Sequence, residues 1–119
     1  MPLLKIQTNL PVLAESDLLL IQEKGSQILS EEIGKSIDFV MVLCEAGGNI
    51  YFSGNSNEPA AFIEIKNVGT LSSSLSSSIT QKLCSLLENV LSIPSSRCYL
   101  EFQESERHLW GWNGKTFAS

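Results

Sequence analysis

The sequence predicts an α+β domain built as strand–helix–strand twice over, and three observations carry that reading. Two long segments, residues 16–33 and 71–90, repeat their apolar side chains every three or four positions, which is the period of a one-sided helix. Each is flanked by short apolar or alternating runs of strand length. The two halves are also nearly equal in length, and Gly34-Lys35-Ser36-Ile37 at the first helix exit answers Ser92-Ile93-Pro94-Ser95 at the second. Two apolar stripes need one shared surface to bury them. The expected fold is therefore a pseudo-duplicated β-α-β-β-α-β sandwich, two helices on a four-stranded sheet. A ferredoxin-like fold has the same element order, and the pattern alone does not choose between them.

Residues 3–8 alternate weakly and read as a strand, closed by Asn9, Leu10 and Pro11. Leu18, Ile21, Gly25, Ile28 and Leu29 then share a helical face, with Ser16 as N-cap and Gly34-Lys35 as the stop. Residues 38–44, with Phe39, Val40, Met41, Val42 and Leu43, are too continuously apolar for an exposed edge and predict an interior strand. The Gly-rich stretch 46–55 reads as a connection holding a short strand at 50–52. In residues 60–66, Ala61, Ile63 and Ile65 oppose Phe62, Glu64 and Lys66.

The serine-rich run after Thr70 resembles a linker in composition only. Leu71, Leu75, Ile79, Leu83, Leu86 or Leu87, and Val90 make one continuous stripe, so a helix follows. The serines on its other faces cost only tenths of a kcal/mol each against alanine. Pro94 ends it, residues 97–103 form the next strand, and a turn-rich tail carries Gly111, Asn113 and Gly114 between aromatic residues.

With 119 residues, 43% of them hydrophobic and 18% charged, residues 1–119 make a single folded domain. The formal net charge of −5 and the absence of a Lys/Arg-rich run argue against nucleic acid as a partner. Any anionic ligand would need the few cations placed locally. Cys44, Cys84 and Cys98 are odd in number, widely spaced and without a C-x-x-C pair, so they read as small buried apolar residues. One histidine, His108, leaves no metal-ligand set. Neither a signal peptide nor a membrane span is expected, which makes the reducing cytoplasm the default address; export without a signal peptide stays open.

Pro2 is the most informative single residue. A small second residue favours removal of Met1, and the new terminus would be a secondary amine on a rigid ring. A terminal amine starts near pKa ~8, and an apolar setting lowers it by penalising the cation. Such a group is a base at neutral pH. The plainer alternative is that Pro2 guards the start of an edge strand, where a missing N–H does no harm.

Lys35 has two readings as well, a cation at a helix C-terminus or an anion-binding group beside the strand that carries the terminal amine. On the last strand Tyr99, Glu101 and Gln103 share one face, either solvated or lining a polar pocket. Trp110, Trp112 and Phe117 would dock onto a core, a partner chain or a ligand. No G-x-S-x-G elbow and no glycine-rich phosphate loop occurs, and His108 has no evident nucleophile partner.

The ordered set of motifs resembles the macrophage migration inhibitory factor family of the tautomerase superfamily. It comprises Met1-Pro2 with Thr8-Asn9-Leu10-Pro11, Gly34-Lys35 with Val40-Met41, and Phe52-Ser53-Gly54 with Glu58-Pro59. Asn67-Val68-Gly69 and Arg97-Cys98-Tyr99-Leu100 follow, then Gly111-Trp112-Asn113-Gly114-Lys115-Thr116-Phe117-Ala118. The resemblance spans essentially the whole chain. It implies a symmetric homotrimer with active sites between subunits and no cofactor.

The resemblance also implies that Pro2, once terminal, is the catalytic base of a keto–enol tautomerase. The substrates would be aryl α-keto acids of the phenylpyruvate type, with dopachrome-type isomerisation as a related reaction. Lys35 and the backbone N–H of Val68 would hold the substrate carboxylate, and Tyr99 would reach in from a neighbouring subunit. Leu3, Phe39, Trp110, Trp112 and Phe117 would form or support the apolar walls. The alternative role is a cytokine-like ligand for a receptor protein, with weak or vestigial activity.

Four departures from the family pattern stand out. Phe39 replaces a frequent tyrosine, and Trp110 is bulkier than the small aliphatic residue often found there, a difference that would narrow the pocket. Glu101 stands where the best-known members have asparagine. A carboxylate near Pro2 favours its cation and repels an anionic substrate, which predicts weaker activity. Ala60 and Ile63 occupy the places of a thiol pair found in some relatives, so no thiol–disulfide oxidoreductase activity is expected.

Overall fold

The computed structural model describes all 119 residues. Strand β1 (Leu3–Thr8), helix α1 (Glu15–Ile33) and strand β2 (Met41–Glu45) form the first unit. Strand β3 (Ala61–Val68), helix α2 (Ser73–Leu91) and strand β4 (Cys98–Ser105) form the second. The tail adds a small hairpin, β5 (Gly111–Trp112) and β6 (Lys115–Thr116). The sheet order is β2-β1-β3-β4, parallel within each unit and antiparallel where β1 meets β3. Each helix thus links two strands that are direct neighbours, whereas a ferredoxin-like sheet splits that unit with another strand. The topology decides in favour of the pseudo-duplicated sandwich.

Alternation along β1 and β3 sends Leu4, Ile6, Ala61, Ile63 and Ile65 to the face the helices cover. Ile21 and Leu29 of α1 and Ile79, Leu83 and Leu87 of α2 meet them there, all buried. Burying each such aliphatic side chain contributes roughly 1.5–3 kcal/mol. Gly25 lets α1 lie close to β1, since a Cβ on it would sit 2.8 Å from Leu4 Cδ2. Helix α2 begins where the Ser72 hydroxyl accepts the Leu75 N–H, at 3.2 Å. It stops at Ser92 in the left-handed region, two residues before Pro94.

Three expectations change. Helix α1 starts at Glu15 with Ala14 as its cap, so Ser16 lies inside the first turn and caps nothing. Residues 37–39 do not extend the strand but form a 3-10 turn, because the Ser36 hydroxyl accepts the Asp38 N–H and offers the backbone a local alternative. The short strand at 50–52 reduces to one bridge, Phe52 with Asn55.

A fourth correction matters more. Strand β2 is an edge, not an interior strand, with Met41 66% and Leu43 43% exposed on the sheet face that carries no helix. Its continuous apolar character therefore has two causes, Val42 and Cys44 packing inward and Met41 and Leu43 facing out. The same helix-free face carries exposed Tyr99 on the opposite edge strand.

Candidate active site

Pro2 is buried at the head of β1, where its carbonyl accepts the Met41 N–H at 3.1 Å. The missing proline N–H leaves no gap in the ladder at this position. Met1 precedes it, and the terminal amine is held below its ordinary range, first by burial and second by the Lys35 ammonium. Both causes penalise a cation at the chain's start.

Lys35 comes to this place through the end of α1. Gly34 adopts φ +76°, a left-handed cap that glycine takes without strain, and its N–H bonds to the Ser30 carbonyl. The Lys35 N–H also reaches the Ser30 carbonyl (3.2 Å), and the Ser30 hydroxyl donates to the Lys35 carbonyl (2.6 Å). With its backbone fixed on both sides, Lys35 extends from a rigid exit. It joins none of the ion pairs, which link Lys5 to Glu45 and Glu64, Lys82 to Glu32, and His108 to Glu106.

Two cavities meet at the N-terminus. A groove of about 990 Å³ is lined by Met1, Lys35, Phe39, Val68, Arg107 and Phe117 among others. A smaller one of about 260 Å³ holds Pro2 and Leu3 against Phe39, Trp110 and Trp112. Met1 and Phe39 border both. Trp112 meets the Phe39 ring edge-on (centroids 5.4 Å, 86°) and lies parallel to Phe117 (6.4 Å, 3°). Aromatic pairs of this kind add about 0.5–1.5 kcal/mol each beyond burial. The arrangement gathers an aromatic wall and the Lys35 side chain around the N-terminus.

Eight of the ten residues singled out in the sequence therefore converge: Pro2, Leu3, Lys35, Phe39, Val68, Trp110, Trp112 and Phe117. Tyr99 and Glu101 do not join them within one chain. Leu3 aligns with Lys66 and Lys66 with Gln103, so Tyr99 lies four residues further along β4, about 13 Å at strand rise. It also sits two strands across, packed edge-on against Phe52 (4.9 Å, 86°). Glu101 is exposed beside Glu64.

No group of three or more His, Cys, Asp or Glu side chains is placed to hold a metal. The three thiols are half-buried rather than fully buried, and burial pushes Cys98 up to about 12. No helix is long and apolar enough to cross a membrane.

The chain matches the family model for macrophage migration inhibitory factor over residues 1–118. It belongs to that family. The macrophage migration inhibitory factor homolog of Brugia malayi is 33% identical over 118 residues, covering 99% of this chain and all of the relative. The solved structure of a homologue from Prochlorococcus marinus has a TM-score of 0.88 at 36% identity, over 97% of this chain and 98% of that one. A macrophage migration inhibitory factor-like protein from Entamoeba histolytica gives 0.88 at 28% identity, with 97% of each chain covered. Family membership supports a tautomerase or a cytokine-like role of the macrophage migration inhibitory factor kind.

Within this family member, two contributors to the site escape a reading of residue types alone. Ser30 lies within α1, outside its apolar stripe, and its residue type gives no sign that it braces Lys35. Arg107 sits in the charged run Glu104-Ser105-Glu106-Arg107-His108, which reads as a solvated turn. Its Nε and Nη2 both donate to the Phe117 carbonyl, at 3.0 and 2.7 Å.

Proposed function

We propose that the protein is a cofactor-free keto–enol tautomerase for aryl α-keto acids such as phenylpyruvate, using Pro2 as its base once Met1 is removed. The observation that carries this reading is the environment of the chain's first nitrogen. Pro2 is buried at the head of β1 in a cavity walled by Phe39, Trp110 and Trp112, with Lys35 in the adjoining groove. The Met1 amine that precedes it is held low by burial and by Lys35, and the same two causes would act on a Pro2 amine exposed there.

An uncharged Pro2 nitrogen takes the proton from the carbon next to the substrate carbonyl. The C–H electron pair becomes a C=C bond and the carbonyl electrons move onto oxygen. The enolate oxygen takes a proton from water and the protonated Pro2 nitrogen gives its proton back to solvent, so the enol forms with the base restored. In the reverse direction the protonated Pro2 nitrogen returns a proton to the carbon and the keto form is regenerated. Lys35 binds the carboxylate and stabilises negative charge as it develops on the enolate, an interaction strongest in a water-poor site. Phe39, Trp112 and Phe117 stack around the aryl group.

Tyr99 and Glu101 are too far from Pro2 in their own chain to take part. In this proposal they enter the site of a neighbouring subunit in a homotrimer. The apolar outer face of Met41 and Leu43 supports such an assembly, because an edge strand in water is ordinarily blunted by charge.

A second reading, a receptor-binding protein with vestigial activity, draws support from the size of the Pro2 cavity. With Met1 in place and Trp110 in its wall it measures about 260 Å³, just below the range usual for ligand pockets, roughly 300–1,000 Å³. Phenylpyruvate tautomerisation followed by ultraviolet absorbance, with Pro2→Gly as control, separates the two. Loss of most activity in the variant supports the enzyme; equal rates for both proteins would end the enzymatic reading.

A further inference from the structure

The tail hairpin supplies much of the aromatic wall, yet little holds it to the body of the protein. Strands β5 and β6 pair with each other, Gly111 with Thr116 and Trp112 with Lys115. The Thr116–Ser119 bonds are internal to the tail, and the Phe117 N–H returns to the Trp110 carbonyl at 3.1 Å. The side-chain hydrogen bonds that reach residues 111–119 from the rest of the chain both come from Arg107. Two N–H groups of one planar guanidinium converge on one oxygen, which fixes the Phe117 carbonyl in direction as well as distance.

Phe117 is therefore held at both ends, by its N–H and by its C=O. Its ring stacks on Trp112, and Trp112 stands on Phe39. Phe39 and Trp112 wall the Pro2 cavity, while Phe117 and Arg107 itself border the Lys35 groove.

We infer that Arg107 is a positioning residue that, by gripping the Phe117 carbonyl, sets the aromatic wall and with it the preference for aryl over aliphatic 2-oxo acids. It acts through Phe117 and Trp112 and takes no proton. This inference rests on the tautomerase reading above, so its test must fail separately from that reading.

The test compares the wild type, Arg107→Ala, Arg107→Lys and Pro2→Gly. Exchange of the C3 protons of phenylpyruvate and of an aliphatic 2-oxo acid of similar length is followed by NMR in D2O. Arg107→Ala should raise the ratio of aryl to aliphatic KM about tenfold, the scale of losing a charge-assisted hydrogen bond, whereas any effect of removing a cation from the groove is common to both carboxylates and leaves that ratio unmoved. Arg107→Lys keeps a donor without the fork and should recover part of the loss. Thermal unfolding should show that both variants fold, and should Arg107→Ala not fold, the Arg107→Lys ratio of aryl to aliphatic KM decides. An unchanged aryl KM, or an equal loss on both substrates, would overturn the role of Arg107. Full activity in Pro2→Gly would instead overturn the base assignment while leaving the KM ratio readable.

Discussion

The Met41 N–H donates to the Pro2 carbonyl at 3.1 Å, extending the parallel β1–β2 pairing past the start of β1. The bond anchors Pro2 through its oxygen, so its nitrogen can be placed without taking part in the sheet. While Met1 is attached, any other residue here would bring an amide N–H in need of a partner in this buried position, and proline brings none. Once Met1 is removed, the ring nitrogen becomes a secondary amine with a free lone pair. The features that make it harmless at a strand head also make it a well-located base.

The first consequence concerns pH. The Met1 amine is held below its ordinary range by burial and by Lys35. A Pro2 amine left beside the same ammonium after Met1 removal should also lose its proton at lower pH, so a base-catalysed rate should rise through that lowered value and level off above it. Lys35→Met removes the charge repulsion but leaves the burial, and the limb should move to higher pH without reaching the ordinary range. The pH–rate profiles of kcat/KM for both proteins check this. A limb in the same place in the variant would contradict the electrostatic link.

Lys35 should also discriminate among substrates. Lys35→Ala should weaken binding of carboxylate-bearing substrates by roughly 10–100-fold, the range for a lost hydrogen bond to a charged group. A neutral aryl ketone should be nearly indifferent. Steady-state kinetics on both substrate types give the comparison, and equal losses would place the Lys35 ammonium outside the substrate contact.

Arg97 is a buried cation that has no carboxylate partner. Only 5% exposed, it donates to the carbonyls of Phe52, Glu58 and Pro59 at 2.9–3.2 Å and lies over the Phe52 ring at 5.4 Å. It thereby fixes the loop that packs Phe52 against Tyr99. Arg97→Met should cost about 2–4 kcal/mol, because several backbone carbonyls lose a charged donor together. Urea denaturation measures it; a loss below about 1 kcal/mol would mean that Asn9, which bonds Glu58 and Ala60, holds the loop unaided.

Thiol chemistry should be slow at Cys98. With its pKa pushed up to about 12 by burial and by neighbouring Cys84, little thiolate exists at pH 8. Alkylation should be on the order of a hundredfold or more slower than for a free thiol. Peptide mapping after timed iodoacetamide treatment, native against unfolded, reads this directly. Comparable rates in the two states would contradict it.

The sequence disclosed most of the fold where one side chain type had one cause. Ile79, Leu83 and Leu87 repeat at helical spacing because they face one core, and Gly34 ends α1 because a left-handed residue must. It misled where two causes overlapped. Met41 and Leu43 look like interior residues, but in the single chain they lie on an open sheet face, and their hydrophobicity anticipates a surface the chain alone does not cover. Residue type places Phe39 in the strand because it does not reveal that the Ser36 hydroxyl accepts the Asp38 N–H. The site was legible as a set of motifs and less so as a machine. Ser30 and Arg107 work through backbone carbonyls, and that role leaves no mark in residue type.

The central claim is tested most directly by titrating the Pro2 nitrogen itself. In a sample carrying 15N-labelled proline and lacking Met1, its chemical shift is followed against pH beside a free peptide of the same first six residues. The account predicts that the nitrogen in the folded protein loses its proton at distinctly lower pH than in the peptide, and that Lys35→Met narrows the gap. Coincident titration curves would contradict it.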